Sequence, residues 1–183
     1  MAAKTSLGIR KMTYSAMFLG LALVLPFLTG QIPEIGSKLC PMHIPVLLCG
    51  LLCGWPWGLA VGVVSPLLRS VIFGMPPMFP TAVSMAVELA VYGAVAGVLE
   101  SRLPKKVWSV YASLVVAMVA GRVAWGAVRF LLAGLQGSTF TFQAFLAGAV
   151  LNAVPGIIVQ LVLIPLLVLA LEKAGLSLNP RKA

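Results

Sequence analysis

The chain has no Asp and only four Glu, set against thirteen Lys and Arg in 183 residues. Charged residues make up 9% of it, where a soluble domain carries about 25%. Groups for chemistry are as scarce: there is one His, and the sequence holds no GxxxxGK[ST] phosphate loop, no HExxH and no GxSxG. ATP hydrolysis, zinc proteolysis and serine hydrolysis therefore have no residues to run on, and neither an enzyme nor a cofactor is expected. Cys40, Cys49 and Cys53 are odd in number and have no paired spacing, so no disulfide is expected. Cys49 and Cys53 lie four apart, but without a second pair of ligands they read as small packing residues, not as a metal site.

What fills the chain is apolar: 61% of the residues are hydrophobic and the mean hydropathy is +1.07. In hydrocarbon a backbone must satisfy its own amides, and the alternating pattern of a barrel strand is missing. The reading is an all-α polytopic membrane protein in one integral domain, residues 1–183. The opening MAAKTSLGIRKM looks like the start of a signal peptide, yet the apolar run behind it is as long as a span and lacks a small-x-small cleavage site. It is kept as the first helix.

Six spans are expected, at about 12–28, 43–54, 58–73, 80–99, 107–134 and 142–171. The loop at about 29–42 holds two prolines, Glu34 and Lys38, and is long enough to act as a lid. Trp55-Pro56-Trp57 is read as the close of the second span, Pro80 as the first residue of the fourth, and Pro155 and Pro165 as kinks in the sixth. Of the ten basic residues outside the spans, nine fall on the side of the two termini and only Lys38 on the other. By the positive-inside rule both termini are cytoplasmic and the 29–42 loop is outside. The net charge of +9 thus reports orientation in a lipid bilayer and not a nucleic-acid partner.

Three arginines and a glutamate lie inside the spans, where charge is costly and marks function by default. Counted along the helices, Glu88, Arg122 and Asn152 sit about 12–18 Å from the outer surface, and Arg69 and Arg129 within about 8 Å of it. Met85, Glu88 and Tyr92 stripe the fourth span; Arg122, Trp125, Gly126 and Arg129 share a face of the fifth; Ser65, Arg69 and Phe73 share one of the third. Each stripe sets a charge beside an aromatic, as a pocket for a small polar molecule does. Glu88 pairs with Arg69 or with Arg122, and the arginines left over favour an anionic ligand such as a carboxylate. The structural alternative is that the charges only pair with one another and that Arg69 and Arg129 snorkel outward. His43, at the start of the second span, is an interfacial cap or a further site residue.

Gly50, Gly54, Gly58 and Gly62 recur every four residues, and Gly93 and Gly97 repeat that spacing, so close helix approach is expected there. Ala16 and Gly20 make a similar small-residue face on the first helix, available for internal packing or for another protein.

With these residues in place the chain resembles the substrate-binding S components of energy-coupling factor (ECF) vitamin transporters over nearly its whole length. MHIPVLLCGLLCGWPWGLAVGVVSPLLRS is similar to that family's second and third helices, and PTAVSMAVELAVYGAVAG to its fourth. The resemblance implies high-affinity binding of a vitamin from outside, in the bacterial plasma membrane. It also implies docking on a module of one transmembrane coupling subunit and two ATPases. The docking face maps to Ala16 and Gly20, with Gly20 and Ala22 where an alanine pair is typical. Glu88, Arg69, Arg122, Arg129, Asn152, Trp125, Tyr92 and His43 are the expected substrate-binding residues, for a pantothenate-, nicotinate- or folate-like acid. A self-sufficient proton-coupled carrier using Glu88, or a structural membrane protein, are the alternatives. Against the carrier, residues 1–99 and 100–183 show no convincing internal symmetry.

Overall fold

A computed structural model describes residues 2–29, 39–104, 106–137, 141–148, 153–175 and 178. Every regular element among them is helical. Helix α1 (Ala2–Val24) tightens into a 3₁₀ turn at Leu25–Thr29, where Pro26 has no N–H to give to the α ladder. The loop read as a lid lies outside the described residues from 30 to 38.

Helix α2 (His43–Cys53) has eleven residues, about 16 Å of rise, which is short of a bilayer core of about 30 Å. Ten of those eleven are buried, so α2 serves as a central plug wrapped by longer helices. Its end corrects the sequence reading. Gly54, at φ 99° and ψ 169°, breaks the helix in a conformation that side chains disfavour, and α3 (Trp55–Phe73) starts at the next residue. Trp55-Pro56-Trp57 thus opens the third helix; Pro56 sits in its first turn, where a missing N–H costs nothing.

Gly74 closes α3 in the left-handed region and returns its N–H to the Ser70 carbonyl at 3.0 Å. A wide turn at Met78–Ala82 follows, with Phe79 extended because a proline comes next. Pro80 follows that break, and helix α4 (Val83–Arg102) continues from the turn within one apolar stretch, Met78–Arg102. Helix α5 (Val107–Leu135) is the longest among the described residues, at 29 residues. Within the sixth span expected at 142–171, the described residues form α6 (Phe142–Leu146), capped by the Ala144 N–H on Thr141 Oγ1 at 3.2 Å, and α7 (Val154–Lys173). Pro155 lies in the first turn of α7, so it starts a helix where a kink was expected; Pro165 lies inside.

Among the described residues five stretches are long and apolar enough to cross a membrane: Leu7–Leu28, Trp55–Phe73, Met78–Arg102, Val107–Leu135 and Val154–Lys173. Helix α4 lies at the centre, against α2, α3 and α5. Its contact with the α2–α3 hairpin is backbone on backbone: a Cβ on Gly93 would run into the Gly58 carbonyl, and one on Gly50 into the Gly93 carbonyl. Leu47, Leu89, Tyr92, Leu114 and Ile164 fill the core around this seam. Val115, Val119 and Val123 on α5, and Ile158, Val162 and Leu166 on α7, form apolar stripes turned outward to lipid.

Candidate functional site

On α4, Glu88 and Tyr92 stand one turn apart and both point into the bundle, at 2% and 1% exposure. Helix α5 brings Arg122 to the same point: its Nη1 lies 3.0 Å from Glu88 Oε1. The first residue of α2, His43, places Nε2 3.4 Å from the same oxygen. The His43 ring meets Tyr92 edge to face, with centroids 5.1 Å apart. The Tyr92 ring in turn lies so close over Gly121 that a Cβ there would overlap it. Three helices, each through a residue at a set position, thus converge on one carboxylate.

Electrostatics explains why Glu88 is tolerated. A buried carboxylate costs several kcal/mol unless a cation answers it, and Arg122 does so from the facing helix. The answer is incomplete in hydrogen bonds. Oε1 is approached closely by two nitrogens but receives no well-aligned hydrogen bond, and among the described residues both ring nitrogens of His43 and Nε of Arg122 lack one too. Buried polar atoms in folded proteins normally have partners, so this cluster has donor and acceptor capacity for a bound molecule.

Cys40 completes the cluster. It was not among the residues singled out in the sequence, yet its Sγ accepts from Arg122 Nη2 at 3.6 Å. Its backbone is left-handed, φ 48°, and the His43 N–H bonds its carbonyl at 3.1 Å.

The other expected residues separate. Arg69, 3% exposed, donates to the Leu23 carbonyl, with its guanidinium 4.9 Å from the Phe27 ring and 5.3 Å from that of Phe73. It fastens the C-terminal end of α1 to α3, and Glu88 takes Arg122 as its partner. Arg129 stands over Trp125 at 5.8 Å, two turns along α5 from Arg122, and Trp125 stacks on Phe145 of α6 at 6.3 Å. These form an aromatic layer about 5–10 Å further along the helix. Asn152 lies outside the described residues. On α1, Ser15, Phe18 and Ala22 are buried, while Ala16 and Gly20 are exposed, with nothing within 4 Å of where a Cβ on Gly20 would lie. Cys49 and Cys53 are buried free thiols; Cys49 donates to Ser15 Oγ at 3.4 Å.

A family model described as ECF transporter, substrate-specific component, matches residues 10–168, from the basic end of α1 to the last buried turn of α7. No curated protein and no solved structure matches the chain. The chain belongs to the substrate-specific components of ECF transporters, multi-pass membrane subunits that recognise a molecule for transport.

Proposed function

We propose that the protein captures a small, water-soluble, carboxylate-bearing vitamin or related micronutrient, pantothenate-, nicotinate- or folate-like, and delivers it to an ATP-driven coupling module. The observation that carries the reading is the cluster of Cys40, His43, Glu88, Tyr92 and Arg122, polar groups drawn to one point in a largely apolar bundle. Ionisable groups at membrane depth are kept for ligands, ions or protons far more often than for packing. Glu88 balances Arg122, and Arg129 on the same face of α5 adds the positive charge that an acid complements.

Trp125 and Phe145 offer stacking area beside that charge for the apolar or heterocyclic part of such a molecule. Asn152 and the 29–42 loop belong to the same proposed site, the loop as its cover. The exposed Ala16 and Gly20 face of α1 is the surface for the transmembrane coupling subunit, which carries two ATPases. Small residues let a partner helix come close there. Both termini face the cytoplasm in this arrangement, and the cluster lies in the outer half.

The test is uptake of radiolabelled pantothenate, nicotinate and folate by cells expressing the chain with its coupling module. Wild type is expected to accumulate one of them. Arg122→Ala, checked for a monodisperse and helical product, is expected to lose that uptake at least tenfold, which is about 1.4 kcal/mol of binding. Unchanged affinity in Arg122→Ala would remove the cluster from the site.

A further inference from the structure

Arg122 uses its guanidinium unevenly. Nη1 faces Glu88 at 3.0 Å, Nη2 donates to the Cys40 sulfur at 3.6 Å, and Nε is buried with no hydrogen bond among the described residues. Nε and Nη2 form one edge of the planar group, an edge on which a carboxylate docks through two parallel N–H···O bonds. Here that edge meets a thiol. Burial is the largest influence on the Cys40 thiol and pushes it up, so at neutral pH it is the uncharged S–H, whose sulfur is a weak acceptor. One of the strongest donor edges in the protein is thus matched to one of the poorest acceptors.

Two further observations point the same way. Cys40 reaches Arg122 only through a left-handed backbone, φ 48°, an uncommon state for a residue with a Cβ. His43, beside it at 2% exposure, keeps both ring nitrogens without a hydrogen bond among the described residues. Unmet capacity therefore surrounds Arg122: its own Nε lies on the edge that Glu88 does not take, and the His43 ring turns its Nε2 to Glu88 Oε1 at 3.4 Å.

We propose that the Nε and Nη2 edge of Arg122 is the carboxylate subsite of the protein, and that the Cys40 thiol is a placeholder on that edge which a ligand carboxylate displaces. The proposal rests on the reading of this cluster as the substrate site; it adds the atoms that take the ligand and a residue that no motif marks. Selectivity follows from the geometry. An acid offers two acceptor oxygens to the two N–H groups, whereas the matching amide offers one and turns an NH₂ against the other.

The experiment compares Cys40→Asp with Cys40→Asn, side chains of one shape of which only the first brings a carboxylate to the edge. In detergent, Cys40→Asp is expected to unfold at least about 3 °C above Cys40→Asn, and the difference is expected to disappear when Arg122→Gln is added to both. Equal stability of the two overturns the proposal, as does a Cys40→Asp that fails to fold where Cys40→Asn folds. A second variant, Cys40→Ala, only removes the thiol, and its ligand content is read by native mass spectrometry beside wild type. With no thiol to displace, it is expected to hold more acid than wild type at limiting acid, and Cys40→Asp is expected to hold none. Loss of the ligand from Cys40→Ala, or its full retention in Cys40→Asp, overturns the placeholder. Stabilisation of Cys40→Asp in a protein that neither holds nor transports any acid would support the subsite and contradict the uptake reading, so the two fail separately.

Discussion

Glu88 can sit at 2% exposure in an apolar bundle only while Arg122 faces it, and that dependence has a measurable form. Removing one partner of a buried ion pair costs about 3–5 kcal/mol, because the other charge is left stranded. Glu88→Gln and Arg122→Gln are each expected to lower the unfolding midpoint. The double variant is expected to lose less than the sum, with a coupling of about 1–3 kcal/mol, measured by a thermal or chemical double-mutant cycle. Additive losses would mean that the two groups do not share an interaction. Arg69 belongs to a different account: held by the Leu23 carbonyl, Phe27 and Phe73, it works as a fastener. Arg69→Met is expected to cost about 1–2 kcal/mol of stability, from the two lost cation–π contacts, and to leave ligand affinity within about threefold of wild type, measured by ligand titration.

Among elements, the seam between α4 and the α2–α3 hairpin is the most demanding, since Gly50, Gly58 and Gly93 bring three backbones together without side chains between them. Gly93→Ala is expected to cost at least about 1–3 kcal/mol, or to abolish folded yield, because the added methyl meets backbone that cannot move aside. Gly20 gives the opposite case, with open space where a Cβ would go. Gly20→Leu is expected to keep the fold and the bound ligand while reducing ATP-driven uptake at least tenfold. Full uptake would move the docking face elsewhere.

The contrast shows what the sequence made legible. A four-residue glycine spacing announces close approach, and the seam is where that spacing lies. Hydropathy placed the apolar runs, but their ends were harder to read. A proline stops a helix and also starts one, so Trp55-Pro56-Trp57 and Pro155 each fitted two readings, and only the positive φ of Gly54 and the first-turn position of Pro155 decide between them. The stripe on α4 said which face Glu88 occupies but not which arginine comes across to it, because facing depends on how α3 and α5 pack. Cys40 was hidden for a related reason: its role depends on a left-handed turn that no spacing encodes.

At the scale of the whole molecule the chain is a substrate-specific subunit by family, and on the proposed reading the work of uphill transport comes from the ATP-driven coupling module. In proteoliposomes the chain alone, under a proton gradient, is expected to accumulate nothing, and accumulation is expected to appear when the coupling subunit, both ATPases and ATP are supplied. Glu88→Gln sharpens this, since a proton-coupled carrier would lose uphill transport with it, whereas an ATP-driven subunit keeps transport at whatever reduced affinity remains.

The most direct test of the central claim is native mass spectrometry of the detergent-purified wild-type protein, followed by heat release and identification of what it carries. The account predicts one acidic micronutrient per chain, lost in Arg122→Ala. A chain that carries nothing and is not stabilised by any member of a vitamin panel would contradict it.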